Sequence, residues 1–164
     1  MAKVFFISDL HFGHKNLILN LRGFNSVEEH DELIISNWNK VVSKRDKVFI
    51  AGDIRMENNE YWILDRLNGN KTVVLGNHEL GKHVPELLKY VDKVAGAISY
   101  KGYMITHIPI HPSEFEHCRG NIHGHVHSYS LPDPRYFNIS CEVLNYTPIE
   151  FEELTKKYND LLYI

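Results

Sequence analysis

The sequence predicts an α/β protein in which two packed sheets carry helices on their outer faces, and three observations lead there. The first half alternates short apolar runs with helical patterns as β-α-β-α-β, the arrangement that builds a parallel sheet. From residue 93 the helical patterns give way to short strands, enough for a second sheet. Several apolar runs end abruptly in Gly, Asp, Asn or His, and polar residues at the carboxyl ends of strands are where open α/β sheets place their sites. The chain has 164 residues and no internal repeat or Pro/Gly/Ser linker, so a single domain over 1–164 is expected.

Residues 3–8 read as the first strand, with residues 9–14 a loop leaving it. Residues 26–43 form a helix: Ser26 and Glu29 make a capping box, and Val27, Ile34, Trp38, Val41 and Val42 trace an apolar face. A strand over 46–51 ends at Gly52-Asp53. A helix over 58–68 is stopped by Asn68-Gly69-Asn70, ahead of a strand over 71–75. A short helix follows at 84–90, with Pro85 in its first turn. Residues 93–100 and 103–107 read as a hairpin turning at Lys101-Gly102, and 119–124 and 135–142 as two further strands. A closing helix is expected from about 148, capped through Thr147-Pro148-Ile149-Glu150.

Composition narrows the function classes. The hydrophobic fraction of 43% and charged fraction of 24% are those of an ordinary globule. A net charge of -3 offers no field for nucleic acid or anionic membrane, and no apolar run is long enough to span a bilayer. Two cysteines, Cys118 and Cys141, are too few for a disulfide framework. With no leader ahead of the first strand, a cytoplasmic protein is expected. Histidine stands out at 11 residues, most of them beside Gly, Asp or Asn at strand ends.

The stretch Val73-Val74-Leu75-Gly76-Asn77-His78-Glu79 shows the pattern most clearly, with a buried strand turning at Gly76 to present an amide, an imidazole and a carboxylate. Asp9 and His11 lie two residues apart at a strand end, a spacing that sends both side chains to one side, and His125 and His127 repeat it after Gly124. Asp53, Asn77 and His107 each end an apolar run. Together these are three oxygen ligands and four nitrogens with no thiolate. That set suits hard-to-borderline divalent ions such as Mn²⁺, Fe²⁺, Ni²⁺ or Zn²⁺, of which Mn²⁺ is the one expected, and it is large enough for two ions sharing a carboxylate. Arg55, Lys15 and Arg22 are the cations best placed to meet a phosphate, with His14 and His123 as further substrate contacts. His83 and His111 read as rim residues, and His30 and His117 as surface residues.

The motifs Asp9-Leu10-His11, Gly52-Asp53, Gly76-Asn77-His78-Glu79, Ile105-Thr106-His107 and Gly124-His125-Val126-His127 resemble, in identity and order, those of the calcineurin-like metallophosphoesterase superfamily. The string Ser8 to Asn16, with Asn37-Trp38-Asn39 ending the long helix, is similar to a subgroup of small bacterial and phage phosphoesterases. The resemblance implies a four-layer αββα sandwich of two mixed sheets flanked by helices, with two metals at the rim between them. It places Asp9, His11, Asp53 and His127 on one ion, and Asp53, Asn77, His107 and His125 on the other. His78 would face the substrate as the acid for the leaving oxygen, with hydroxide bridging the ions as nucleophile. Met56 stands where many members carry an acidic residue or Asn, and no cap domain is visible. The expected substrate is a small phosphodiester, or else a phosphomonoester or nucleotide. A nuclease of the same chemistry lacks a basic track here, and a non-catalytic scaffold would not need the complete ligand set.

Overall fold

The computed structural model describes residues 1–56 and 60–162, with side chains described through 156. Its strands form two sheets. The first holds β1 (Val4–Ile7), β2 (Lys47–Ile50), β3 (Asn70–Val74), β4 (Lys93–Ala95) and β9 (Ile149–Glu150), in the order β4-β3-β2-β1-β9. The second holds β5 (Ile98–Tyr100), β6 (Tyr103–Ile105), β7 (Gly120–His123) and β8 (Tyr136–Asn138), in that order. Both are mixed: β1 to β4 run parallel with β9 antiparallel on the edge, and β6 to β8 run parallel with β5 antiparallel. Helices α1 (Val27–Val41), α2 (Val84–Leu87) and α3 (Phe151–Leu162) flank them, giving the expected sandwich class.

Strand alternation divides the interior in two. On the first sheet Phe5, Ile7, Val48, Ile50 and Val73 face α1 and meet Ile34, Ile35 and Trp38. Phe6, Phe49 and Val74 point the other way, to Tyr103, Ile105, Ile122 and Phe137 of the second sheet. A strand buried on both faces must be apolar throughout, which is why VFFI has no alternation. Ser26 caps α1 by accepting from Glu29 N at 3.0 Å, as expected from the capping box. Trp38 is fully buried and donates its indole N–H to Asn68 O at 2.9 Å, so truncating it to Ala would cost about 3–5 kcal/mol. Val41 lies instead on the exposed side, while His30 and Ile35 take inward positions.

Other boundaries differ from expectation for local reasons. The hairpin reading of 93–100 merges two strands: β4 pairs with β3 in the first sheet, and only β5 pairs with β6. Ala95-Gly96-Ala97 is the crossing point between the two sheets. The β5–β6 turn does use Lys101 and Gly102, both left-handed at φ 48° and 84°. Residues 149–150 pair with β1 before the last helix begins at Phe151, because Ile149 completes the sheet edge against Phe6. The expected helix over 58–68 is a 3₁₀ turn, Tyr61–Arg66; its start lies partly outside the described residues. Aromatic and β-branched residues, Tyr61, Trp62 and Ile63, are poor α-helix formers there. The helix expected at 84–90 is limited to α2, after a 3₁₀ turn at Gly81–His83.

The two sheets touch beyond their named strands. Ser8 and Ser140 form a parallel bridge, with Ser8 N donating to Ile139 O at 2.9 Å and Cys141 N to Ser8 O at 3.1 Å. The chain ends leaving β1 and β8 are thereby fixed side by side, and Asp9 emerges at that seam.

Candidate metal centre

Five loops converge on the seam, from the carboxyl ends of β1, β2, β3, β6 and β7. Among the described residues, two groups of side chains could each hold a cation: Asp9, His11 and His127, and Asp53, His107 and His125. Within each group the ligand atoms lie within 4.8 Å of one another. Asp53 stands between them, its Oδ2 3.7 Å from His11 Nε2 and 3.2 Å from His107 Nε2. Asn77 Oδ1 joins the second group, 2.9 Å from His107 Nε2 and 3.0 Å from His125 Nδ1. All seven residues expected as ligands therefore meet at one place.

The route by which they meet differs from strand alternation. Among the described residues eight non-glycine residues have positive φ, and five of them are Asp9 (56°), His11 (48°), Asp53 (52°), His125 (72°) and His127 (49°). L-residues pay for the left-handed region, of order 1–3 kcal/mol for a bulky side chain, and such strain gathers where a site over-determines the backbone. Asp9/His11 and His125/His127 thus share the centre through successive left-handed residues. Gly76 also acts differently from the sharp turn expected of it. A Cβ there would collide with the Asp53 carboxylate and, at 2.6 Å, with Asp53 N, so its need is close approach. Gly124 gives the room expected: a Cβ would strike Ser8 Oγ and Asp9 Oδ2.

Hydrogen bonds aim the ligands. Asp9 Oδ2 accepts from Ser8 Oγ (2.6 Å), Ser140 Oγ (3.0 Å) and His125 N (3.0 Å). Its Oδ1 looks toward His11 Nε2 at 3.8 Å and His127 Nε2 at 3.9 Å. His107 donates from Nδ1 to Ala51 O at 2.7 Å, turning Nε2 into the cluster, and His127 Nδ1 pairs with Glu142 Oε1 at 2.9 Å. Glu79 binds backbone only: Oε2 accepts from Asp53 N (2.8 Å) and Gly76 N (2.7 Å), and Oε1 from Ile54 N (2.8 Å). It ties the Asp53 and Asn77 loops together and leaves the centre to other donors.

The electrostatics favour a cation. Burial opposes the charge on Asp9, yet the neighbouring His11 imidazole, the Ser8 hydroxyl and the imidazoles of His107 and His127 hold its carboxyl well below the usual range. Asp53 is likewise held low against its burial, chiefly by His107, and His107 is raised against its own burial by Asp53. His11 provides the sharpest test of fit. Both its ring nitrogens are buried without a hydrogen-bond partner, and Nε2 sits too far from Asp9 and Asp53 to bond either. Lone pairs that converge without bonding one another suit a shared cation, and the oxygen and imidazole donors fit borderline divalent ions.

Residues expected to touch substrate are dispersed. His78 lies at the rim with its side chain 29% exposed, Nε2 3.8 Å from Asp53 Oδ2, and its backbone N–H on Asp53 Oδ1 at 3.1 Å. Arg55 is close by, its guanidinium over Gly13 and 3.9 Å from Glu60 Oε2. The His14 ring lies 5.4 Å from that of His11, and Lys15 is exposed beyond it. Arg22, expected as a phosphate contact, is enclosed at 1% side-chain exposure with its donors on protein acceptors. His123 is fully buried, because alternation from Ile122 sends it to the outer face of the second sheet against Tyr136. His30, expected at the surface, is also fully buried, between Arg22 and Asp31. His111 caps the 3₁₀ turn Pro112–Glu116 by accepting from Ser113 N, and His83 ends the Gly81–His83 turn. Glu142 and Ser140 escaped sequence reasoning, since neither sits in a motif and the bridge between the sheets brings them to His127 and Asp9; Ser8 stands in the first motif string, but its hydrogen bond to Asp9 was not anticipated.

No protein-family model matches the chain. The uncharacterized protein MJ1445 of Methanocaldococcus jannaschii is 34% identical over 170 residues, covering 95% of this chain and 91% of that protein. The gene 66 protein of Mycobacterium phage L5 is 31% identical, covering 78% of this chain and 79% of its own length. Among solved structures, a protein of unknown function from Aquifex aeolicus, AQ665, superposes with TM-score 0.75 at 28% identity, over 95% of this chain and 99% of that one. The Pseudomonas putida nuclease MPE shares the fold at TM-score 0.50 and 16% identity, over 76% of this chain and 61% of that one. By descent the chain belongs to one family with MJ1445 and the phage L5 gene 66 protein, and its two mixed sheets and two candidate ligand groups joined through Asp53 are consistent with the metallophosphoesterase-like sandwich that its motifs resemble.

Proposed function

We propose that the chain is a two-metal phosphoesterase that prefers small phosphodiesters, including short nucleotide esters, over phosphomonoesters. The observation that carries this is Asp53, placed between two groups of candidate ligands with His78 beside it at the rim. Asp9, His11, Asp53 and His127 would hold one ion, and Asp53, Asn77, His107 and His125 the other, with Mn²⁺ the first choice. Bound there, divalent ions supply Lewis acidity and bring the pKa of water toward neutrality. His78 then holds the proton that the leaving oxygen needs, from an imidazole anchored through its own backbone N–H to Asp53.

The diester preference rests on charge. A monoester dianion asks for cations beyond the metals, and the rim presents few: Arg22 is enclosed and the Arg55 side chain is 11% exposed, which leaves the exposed Lys15 and the half-buried His14. The reading treats 1–164 as one domain with an open rim and no cap. Nucleic acid is disfavoured by the net charge of -3. The test is to strip the protein of metal, reconstitute it with Mn²⁺, Ni²⁺, Zn²⁺ or Mg²⁺, and assay bis-p-nitrophenyl phosphate, p-nitrophenyl phosphate and a nucleotide panel. A higher kcat/KM on the bis ester supports the reading, and faster turnover of the monoester with every metal overturns it.

A further inference from the structure

Arg22 and the side chains around it have no part in the chemistry above, yet they form a dense buried polar cluster. The guanidinium follows a π-helical turn at Leu17–Leu21. Its NH2 donates to Asp9 O at 2.6 Å and its NH1 to Leu10 O at 3.2 Å. NH1 also lies 2.7 Å from His30 Nε2, whose Nδ1 is 2.7 Å from Asp31 Oδ1. Nε donates to Glu142 Oε1 at 2.8 Å, the same oxygen that meets His127 Nδ1 at 2.9 Å. Asp31 in turn accepts from Gly13 N at 3.2 Å, closing the loop that carries Asp9 and His11.

Each contact ends on one half of the centre. The carbonyls that Arg22 takes belong to residues 9 and 10, between the two left-handed positions Asp9 and His11. Through Glu142 the same guanidinium reaches His127. In the other half, Asp53 and Asn77 are held through Glu79 on their loops and His107 by Ala51 O, while the backbone N–H of His125 rests on the Asp9 carboxylate. A planar guanidinium is the side chain that can grip two carbonyls and a carboxylate at once.

We propose that Arg22 and Glu142 are positioning residues dedicated to the Asp9, His11 and His127 ligand group, so that one metal position can be weakened while the other stays intact. This rests on the two-ion reading, and the experiment separates the two. Metal-free wild type, Glu142→Ala and Glu142→Gln are titrated with Mn²⁺ by calorimetry. Wild type should bind two ions. Glu142→Ala should keep one at wild-type affinity and bind the other about 10- to 100-fold more weakly, the usual loss when a ligand histidine is left unheld. Glu142→Gln keeps an oxygen able to accept from both Arg22 and His127, and should recover most of that loss.

A second readout needs no metal. In the metal-free protein the His127 Nδ1 proton should give a protected low-field ¹H–¹⁵N signal in wild type and Glu142→Gln, absent in Glu142→Ala. Two ions bound at wild-type affinity by Glu142→Ala, or parallel loss of both, overturns the assignment. Fewer than two ions in wild type refutes the two-ion reading itself and removes this inference with it, a result visible before any variant is compared.

Discussion

Replacing Gly124 with Ala tests how tightly the centre is built. The new Cβ would strike Ser8 Oγ and Asp9 Oδ2 and lie 2.7 Å from Ser8 Cβ. Neither side chain can withdraw at no cost. The Asp9 carboxylate is fixed by Ser8 at 2.6 Å, Ser140 at 3.0 Å and His125 N at 3.0 Å, and Ser8 backbone atoms bridge the two sheets. Overpacking of this kind costs about 1–3 kcal/mol, offset by about 0.4–1 kcal/mol because alanine restricts the unfolded chain. A net loss of roughly 1–2 kcal/mol corresponds to a Tm lower by about 2–8 °C for a chain of this length. Because Asp9 must turn, the variant should also retain about one metal ion per chain where two are expected of the native protein. Calorimetry on the metal-free protein reads the first effect, and metal analysis after dialysis reads the second. An unchanged Tm together with unchanged metal content would refute the reasoning.

Other perturbations follow from the same geometry. Asp53→Ala should empty both positions, since its Oδ2 faces His11 at 3.7 Å and His107 at 3.2 Å; anomalous scattering showing two full ions would sink the shared-ligand assignment. His78→Gln should leave the metals bound while lowering kcat by about a hundredfold or more on esters with poor leaving groups, and less on p-nitrophenyl esters. An equal loss on both would replace the acid role with charge stabilisation. Burial pushes the Cys141 thiol far up and leaves it without exposure, whereas Cys118 is half-buried. A thiol reagent should therefore label one cysteine in the native protein and two after denaturation, and rapid labelling of both before unfolding would contradict the packing.

The sequence alone determined the identity of the donors and the helix that backs the first sheet. Asp53, Asn77 and His107 are legible because each ends an apolar run, and Asp9/His11 and His125/His127 because the same two-residue spacing recurs at strand ends. The Ser26 cap and the Ile34 and Trp38 stripe are legible because capping and helical period are local properties. Tertiary structure decided what depends on partners distant in the chain. Residues 93–100 divide between two sheets, and Ile149-Glu150 becomes strand, because an edge takes whichever segment reaches it. The direction each side chain takes was also hidden. His123 alternates to the outer face, and Arg22 and His30 turn inward because Glu142, 120 residues away from Arg22, supplies the counter-charge that makes burying a guanidinium tolerable. A motif names the atoms that can bind a metal, and the contacts between distant loops decide where those atoms point.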